Sequence, residues 1–212
     1  MMAKFIGIYG GTFDPIHLGH LTAASAVQKE IGLDEVRMVL SANPPHRIAP
    51  VLSAEQRFSL LKLAVSESPS LVADSCEMER SGPSYMVDTL SDFRRKYPND
   101  SLVLVLGMEA FNGLTSWHRW EELIKLTHIV VTDRAGFDNQ FEAAVKSYIT
   151  PFLTKDKSQL KQQTHGKIYC QSVKPLDISA TQIRQRIKDK KTVKEMLTSQ
   201  CLDVINKNSF YR

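Results

Sequence analysis

Two histidines three residues apart, His17 and His20, follow a Gly10-Gly11 pair and lead into the apolar stripe Leu21, Ala24, Val27 and Ile31. Near a helix start, imidazoles at this spacing share one face and can converge as donors on a single phosphoryl group. Glycines at 10 and 11 let a backbone approach a phosphate with no Cβ in the way, and the amides of the following helix favour negative charge. Gly19, between the histidines, leaves room for a ligand against the helix. The same residues also fit a tight turn followed by two ordinary surface histidines. Zinc is a third reading, and no Cys or Glu stands at ligand spacing beside the pair.

Two more cationic groups lie elsewhere. His46 and Arg47 follow Pro44-Pro45, and prolines reduce the entropy of holding two such side chains over an anion. An ordinary Pro-rich surface loop would have the same composition. In Ile178-Ser179-Ala180-Thr181-Gln182-Ile183-Arg184, Ser179 reads as an N-cap, first-turn amides could take a phosphate, and Arg184 projects a fork of donors. Alone, this segment is equally a capped helix with a surface arginine.

The positioning elements follow from hydrophobic patterning. Apolar runs predict strands at 5–9, 35–40, 71–75, 102–106, 128–132 and 167–172, alternating with helices at 18–31, 54–67, 85–96, 119–126 and 139–149. Ser53 with Gln56, and Ser179 with Gln182, read as capping boxes. The alternation predicts an α/β fold, a doubly wound parallel sheet that binds ligands outside the carboxyl ends of its strands. Residues 150–166, rich in Lys, Gln and Thr, read as irregular. The 212 residues, 42% of them hydrophobic, can bury the core of one domain spanning 1–212, with a helical C-terminal portion from about 179. A net charge of +4 suits small anions and lacks the dense basic stripe of a nucleic-acid binder. Cys76, Cys170 and Cys201 are far apart and odd in number, which favours a reducing compartment over a disulfide frame. No apolar run approaches the roughly 18 residues of a membrane span, so a soluble, cytoplasmic protein is expected.

Gly10-Gly11-Thr12-Phe13-Asp14-Pro15 followed by His17-Leu18-Gly19-His20 resembles the nucleotidyltransferase superfamily, whose motif is matched at every position. That resemblance implies a Rossmann-like fold and a loop that holds a nucleoside triphosphate. Aminoacyl-tRNA synthetases of class I carry a similar His-x-Gly-His, but this length leaves little room for their further domains. The other common phosphate loop, Gly-x-x-x-x-Gly-Lys-Ser/Thr, is absent from the sequence.

Pro44-Pro45-His46-Arg47 at its distance from the first motif is similar, more narrowly, to the bacterial nicotinate-nucleotide adenylyltransferases, and the similarity runs from about residue 4 to the terminal Asn208-Ser209-Phe210-Tyr211-Arg212. By that resemblance, Gly10, Gly11, Thr12, Phe13, His17, Gly19, His20, Gly107, Glu109, Ile178, Ser179, Thr181 and Arg184 would form the ATP site, with His17, His20 and Arg184 catalytic. Thr12, His46, Arg47, Ser84, Tyr85, Met86, Trp117 and Arg134 would face the mononucleotide. Met86 stands where the family usually has Thr, and Glu109 where it usually has the Asp that binds ribose. Trp117 would stack on a nicotinate ring, and a plain core role also fits it. Tyr85 reads as packing, Asp88 as a partner of local groups, Asp14 as a shaper of the loop, and Trp120, His118, His128 and His165 as structural or surface residues.

The implied reaction is transfer of AMP from ATP to nicotinate mononucleotide, giving deamido-NAD and pyrophosphate, with Mg²⁺ accompanying ATP and no metal held by the protein itself. Alternatives are nicotinamide mononucleotide or phosphopantetheine as acceptor, or a module that binds nucleotide without turnover.

Overall fold

Strands buried on both faces read as unbroken apolar runs, because neither face is left for water. The computed structural model describes residues 3–45, 49–133, 143–174 and 176–212. Along them run β1 (Phe5–Gly11), α1 (Leu18–Ile31), β2 (Glu35–Leu40), α2 (Ala54–Val65), β3 (Leu71–Asp74), α3 (Met86–Lys96), β4 (Ser101–Gly107) and α4 (Met108–Asn112). There follow α5 (Leu123–Leu126), β5 (His128–Asp133), α6 (Ala143–Ile149), β6 (Leu153–Thr154), α7 (Gln159–Gln162), β7 (Ile168–Ser172), α8 (Ala180–Lys188) and α9 (Ser199–Lys207).

The strands form one sheet in the order β3-β2-β1-β4-β5-β7-β6, and every pairing is parallel. Alternation within a strand sends side chains to opposite faces. Val103 and Val105 of β4 join one core with Ala24, Val27, Leu60, Ile183 and Ile205, while Leu102, Leu104 and Leu106 join a second with Val87, Leu90, Phe93 and Ile124. Helices therefore cover both faces, as the alternating pattern predicts. From β1 the chain first builds outward through β2 and β3, then returns to place β4 on the other side of β1. The direction of building reverses between β1 and β4, so their carboxyl ends mark the topological switch point, the place where sheets of this kind bind ligands.

Local signals set several boundaries. Gly32 ends α1 with φ 80°, a left-handed turn that costs glycine no Cβ clash. Ser53 and Gln56 form the reciprocal capping box that starts α2, with Gln56 N–H donating to Ser53 Oγ at 3.3 Å and Ser53 N–H to Gln56 Oε1 at 3.0 Å. At Ser179 only half of the predicted box is made, from Gln182 N–H to Ser179 Oγ at 3.1 Å.

Some expectations need correction. Gly10 and Gly11 belong to β1 and not to the loop, because pairing with β2 continues through Gly11 opposite Leu40. Helix α2 stops at Val65, two residues early, with Ser66 as its C-cap. The 119–126 segment is a 3₁₀ turn, Trp120–Glu122, leading into α5, with Arg119 at φ 52°. The 150–166 stretch is not irregular throughout; it holds a 3₁₀ turn, β6 and α7. Elements this short, α4 among them, fall below the window in which periodicity is readable. Residues 139–142 of the predicted helix 139–149 lie outside the described residues. No helix among the described residues is long and apolar enough to cross a membrane.

Candidate active site

The loop leaving β1 is held by its own packing before any ligand is considered. Phe13 sits at φ 48°, a left-handed conformation that strains a residue with a bulky side chain, and is 2% exposed. A Cβ on Gly11 would lie 2.5 Å from the Phe13 ring, and one on Gly10 2.5 Å from Met86 Cε. Gly11 is thus required by close packing against the buried Phe13 ring, whereas the contact at Gly10 is with the flexible end of Met86, which can move aside. The Asp14 carboxylate is buried and accepts hydrogen bonds from Val51 N–H at 2.8 Å, Leu52 N–H at 3.3 Å and the Tyr211 hydroxyl at 2.9 Å. It shapes the loop, as the sequence suggests.

His17 is the N-cap of α1 and His20 lies in its first turn, with rings stacked at a centroid distance of 3.7 Å and an interplanar angle of 25°. His20 Nδ1 accepts from the His17 N–H at 3.3 Å, which puts the proton of the neutral His20 ring on Nε2. The Phe13 ring meets His20 edge-on at 5.1 Å. Burial pushes the His17 imidazole down to about 4, so it is neutral at pH 7, and its buried Nδ1 has no hydrogen-bond partner among the described residues. Gly19 lets that ring lie flat, since a Cβ there would stand 3.0 Å from His17 Nδ1 and 3.4 Å from the Ile178 carbonyl oxygen.

The Ile178 contact brings the start of α8 against the start of α1. Ser179 caps α8, and Arg184, in the second turn, reaches back to the loop leaving β1. Its Nη1 donates to the Asp14 carbonyl oxygen at 2.7 Å and its Nη2 to Thr181 Oγ1 at 3.2 Å, with the Asp14 carboxylate 3.9 Å away. The guanidinium stays partly exposed beside the histidine pair's loop. Thus residues 160 and more positions apart in sequence, two neutral imidazoles and one guanidinium, form one wall of hydrogen-bonding groups at the switch point.

The second wall comes from the segments after β2 and before α3. Ser84 N–H donates to Asn43 O and Asn43 N–H to Ser84 Oγ, each at 2.9 Å, while Asn43 Nδ2 donates to Gly82 O at 3.1 Å. The Ser84 hydroxyl is therefore bonded within the protein. Tyr85 stacks on His118 at 4.3 Å and packs against the second core, a structural role. Met86 opens α3 and places its methyl group over Gly10. Asp88 pairs with Arg119 at 3.8 Å. At the end of β4, Gly107 faces open space, and Glu109 is exposed in the first turn of α4. Trp117 is half-buried against the second core, and Trp120 packs edge-on to Tyr148 at 4.7 Å. His46, Arg47 and Arg134 lie outside the described residues.

Three supporting residues were not anticipated. Arg57, 1% exposed, donates to the carbonyls of Leu52 at 3.1 Å, Thr12 at 2.7 Å, Ser41 at 2.7 Å and Ala42 at 2.9 Å, tying both walls together from beneath. Its place on the buried stripe with Leu60, Leu61 and Ala64 was the available signal. Glu77, also buried, accepts from the Thr89 hydroxyl at 2.5 Å; burial raises its carboxyl above the ordinary range, and the Thr89 and Ser84 hydroxyls counter that rise. The third is Tyr211. Among the described residues no group of three or more His, Cys, Asp or Glu is placed to hold a metal ion.

Comparison with known proteins agrees with this geometry. Residues 8–186 match the cytidylyltransferase-like family model. A protein of Methylococcus capsulatus is 40% identical over 207 residues, covering 97% of this chain and 99% of the relative. A protein of Pseudomonas fluorescens is 41% identical over 212 residues, covering 100% and 99%. Both carry the name "Probable nicotinate-nucleotide adenylyltransferase". Among solved structures, Plasmodium falciparum nicotinic acid mononucleotide adenylyltransferase complexed with NaAD shares the fold, with a TM-score of 0.74 at 18% identity over 98% of this chain and 97% of that one. At 40% identity along nearly the whole length, the resemblance read from the motifs becomes membership, and the chain belongs to the nicotinate-nucleotide adenylyltransferase family.

Proposed function

We propose that the protein transfers AMP from ATP to nicotinate mononucleotide, releasing pyrophosphate and forming deamido-NAD in NAD biosynthesis. The observation that carries this reading is the stacked His17–His20 pair at the start of α1 with Arg184 anchored on the same loop, in a chain of this family.

In the reaction, a phosphate oxygen of the mononucleotide attacks the α-phosphorus of ATP. A P–O bond forms there as the α–β bridging P–O bond breaks, and the electron pair leaves with pyrophosphate. The nucleophile is already ionised near neutral pH, so no general base or covalent intermediate is required. The protein's task is alignment and neutralisation of charge between two anions. His17 and His20 are assigned to the α- and β-phosphates. Binding of the polyanion raises the His17 imidazole from its depressed value, since an adjacent negative charge favours the protonated form. Thr12 is assigned to bridging phosphates of both substrates. Arg184 takes the β,γ-phosphates and stabilises the departing pyrophosphate. His46 and Arg47 are assigned to the opposite side, with Glu109 on the ribose and Trp117 on the pyridine ring.

Mg²⁺ is expected to arrive with ATP, held by phosphate oxygens and water. The donor set fits that arrangement, because both Asp14 carboxylate oxygens are already taken by protein donors. When bound, the ion offsets charge on the triphosphate. A cytoplasmic setting is supported by three cysteines that form no disulfide.

The test is pyrophosphate release from ATP and Mg²⁺ with nicotinate mononucleotide, nicotinamide mononucleotide and phosphopantetheine in parallel, each repeated with chelator. Preference for the acid, lost with chelator, is expected. Preference for another acceptor would overturn the substrate assignment, and no release with any would overturn adenylyl transfer.

A further inference from the structure

The last turn of the chain reaches the catalytic loop. After α9, Ser209 and Tyr211 adopt φ 54° and 64°, left-handed conformations that strain both residues and survive only where surrounding contacts impose them. The curl directs the Tyr211 side chain inward, where it is 4% exposed and joins the core shared by α1, α2 and α8. Its hydroxyl donates to Asp14 Oδ1 at 2.9 Å across 197 residues of sequence. The other donor to Oδ1, Leu52 N–H, is more distant at 3.3 Å, and Oδ2 takes Val51 N–H at 2.8 Å. Asp14 thereby joins three segments: its own loop, the end of the loop after β2, and the chain terminus. Arg184 lies on the same residue, bonded to the Asp14 carbonyl and 3.9 Å from the carboxylate.

We infer that Tyr211 is a positioning residue for the adenylyl-transfer site, orienting the Asp14 carboxylate so that it holds the loop after β2 while Arg184 remains turned toward the phosphates. Without the hydroxyl, Oδ1 keeps only its longer partner, and the carboxylate is free to rotate onto the guanidinium. Arg184 would then be drawn from the phosphates it is proposed to bind, and the Val51 and Leu52 amides would lose their fixed acceptor. The inference rests on the proposed activity for its kinetic arm only.

Tyr211→Phe removes one atom and keeps the buried ring. Expected is a fall in kcat of about tenfold, the worth of one hydrogen bond to a carboxylate, with KM raised for ATP, whose phosphates Arg184 is proposed to hold, and within about twofold for nicotinate mononucleotide. Amide hydrogen exchange at Val51 and Leu52 should rise by about tenfold or more while exchange in β4 is unchanged. In an Asp14→Asn background the same substitution should have little further effect, because both act through one contact. Unchanged kcat and unchanged Val51 and Leu52 exchange in Tyr211→Phe would overturn the inference, as would exchange raised uniformly across the sheet. If the wild-type protein itself releases no pyrophosphate, adenylyl transfer fails as the reading, and the exchange arm alone decides the role of Tyr211.

Discussion

Replacing Arg57 with methionine keeps the volume of a long buried side chain and removes its donors. Four carbonyl oxygens lose a partner: Thr12 and Ser41 at 2.7 Å, Ala42 at 2.9 Å and Leu52 at 3.1 Å. Hydrogen bonds from a charged donor contribute about 1.5–3 kcal/mol each, but the guanidinium is desolvated, and burial lowers its affinity for the proton. That cost offsets much of the gross gain, leaving a net loss of about 3 kcal/mol for burying carbonyls without their donor. For a chain of this size, such a loss lowers the melting temperature by about 6–12 °C. Arg57→Lys retains the charge, yet one ammonium nitrogen cannot span carbonyls on both walls, so an intermediate loss of about 1–2 kcal/mol is expected. Urea midpoints at constant m measure the stability term, and pyrophosphate release measures the site. Turnover should fall in both variants, by about tenfold or more in the methionine protein, because Thr12 and the Ser41–Leu52 loop are no longer fixed to each other. A methionine variant that melts within about 2 °C of wild type and turns over normally would refute the reasoning.

Gly19→Ala should lower activity while leaving stability nearly unchanged. Alanine favours a helix over glycine by about 1 kcal/mol, but its Cβ would displace the His17 ring from 3.0 Å, so turnover should fall with little loss in thermal midpoint, and a fully active variant would contradict the packing. His20→Ala should lower kcat by about 10²-fold in a protein whose circular dichroism and melting are near wild type; normal turnover would remove His20 from the phosphate site. Acid should destabilise the ligand-free protein through two buried histidines, His17 and His128, each depressed to about 4. His128 is fixed in its neutral form, donating from Nε2 to Gln163 O and accepting Lys167 N–H at Nδ1, each at 3.0 Å. Because the unfolded chain binds protons that the folded one excludes, this stability is complete above pH about 6.5 and declines as pH falls to about 4, by up to about 3 kcal/mol per histidine. Urea midpoints from pH 7.5 to 4 should follow that window, and His128→Gln should flatten it.

What the sequence determined by itself is local. The apolar runs specify strands buried on both faces, and the regular alternation with amphipathic segments specifies a parallel sheet covered on both sides. Helix α1 coincides with its expected bounds, and Ser53 with Gln56 forms the reciprocal box that its three-residue spacing announces. The His17–His20 stack is likewise a consequence of i, i+3 spacing at a helix start. Short elements such as α4 and α7 were not legible, because four or five residues carry too few turns to show a period. What only the tertiary structure decided is which polar groups the protein spends on itself. Gly10 and Gly11 make room for Met86 and Phe13, and the Ser84 hydroxyl is occupied by Asn43. The bonds that fix the site join Arg57 to Thr12 across 45 residues, Arg184 to Asp14 across 170 and Tyr211 to Asp14 across 197. No local pattern encodes such pairs, since each depends on buried carbonyls and carboxylates that acquire their positions, and their need for a partner, only when the sheet and both helical layers have closed around them.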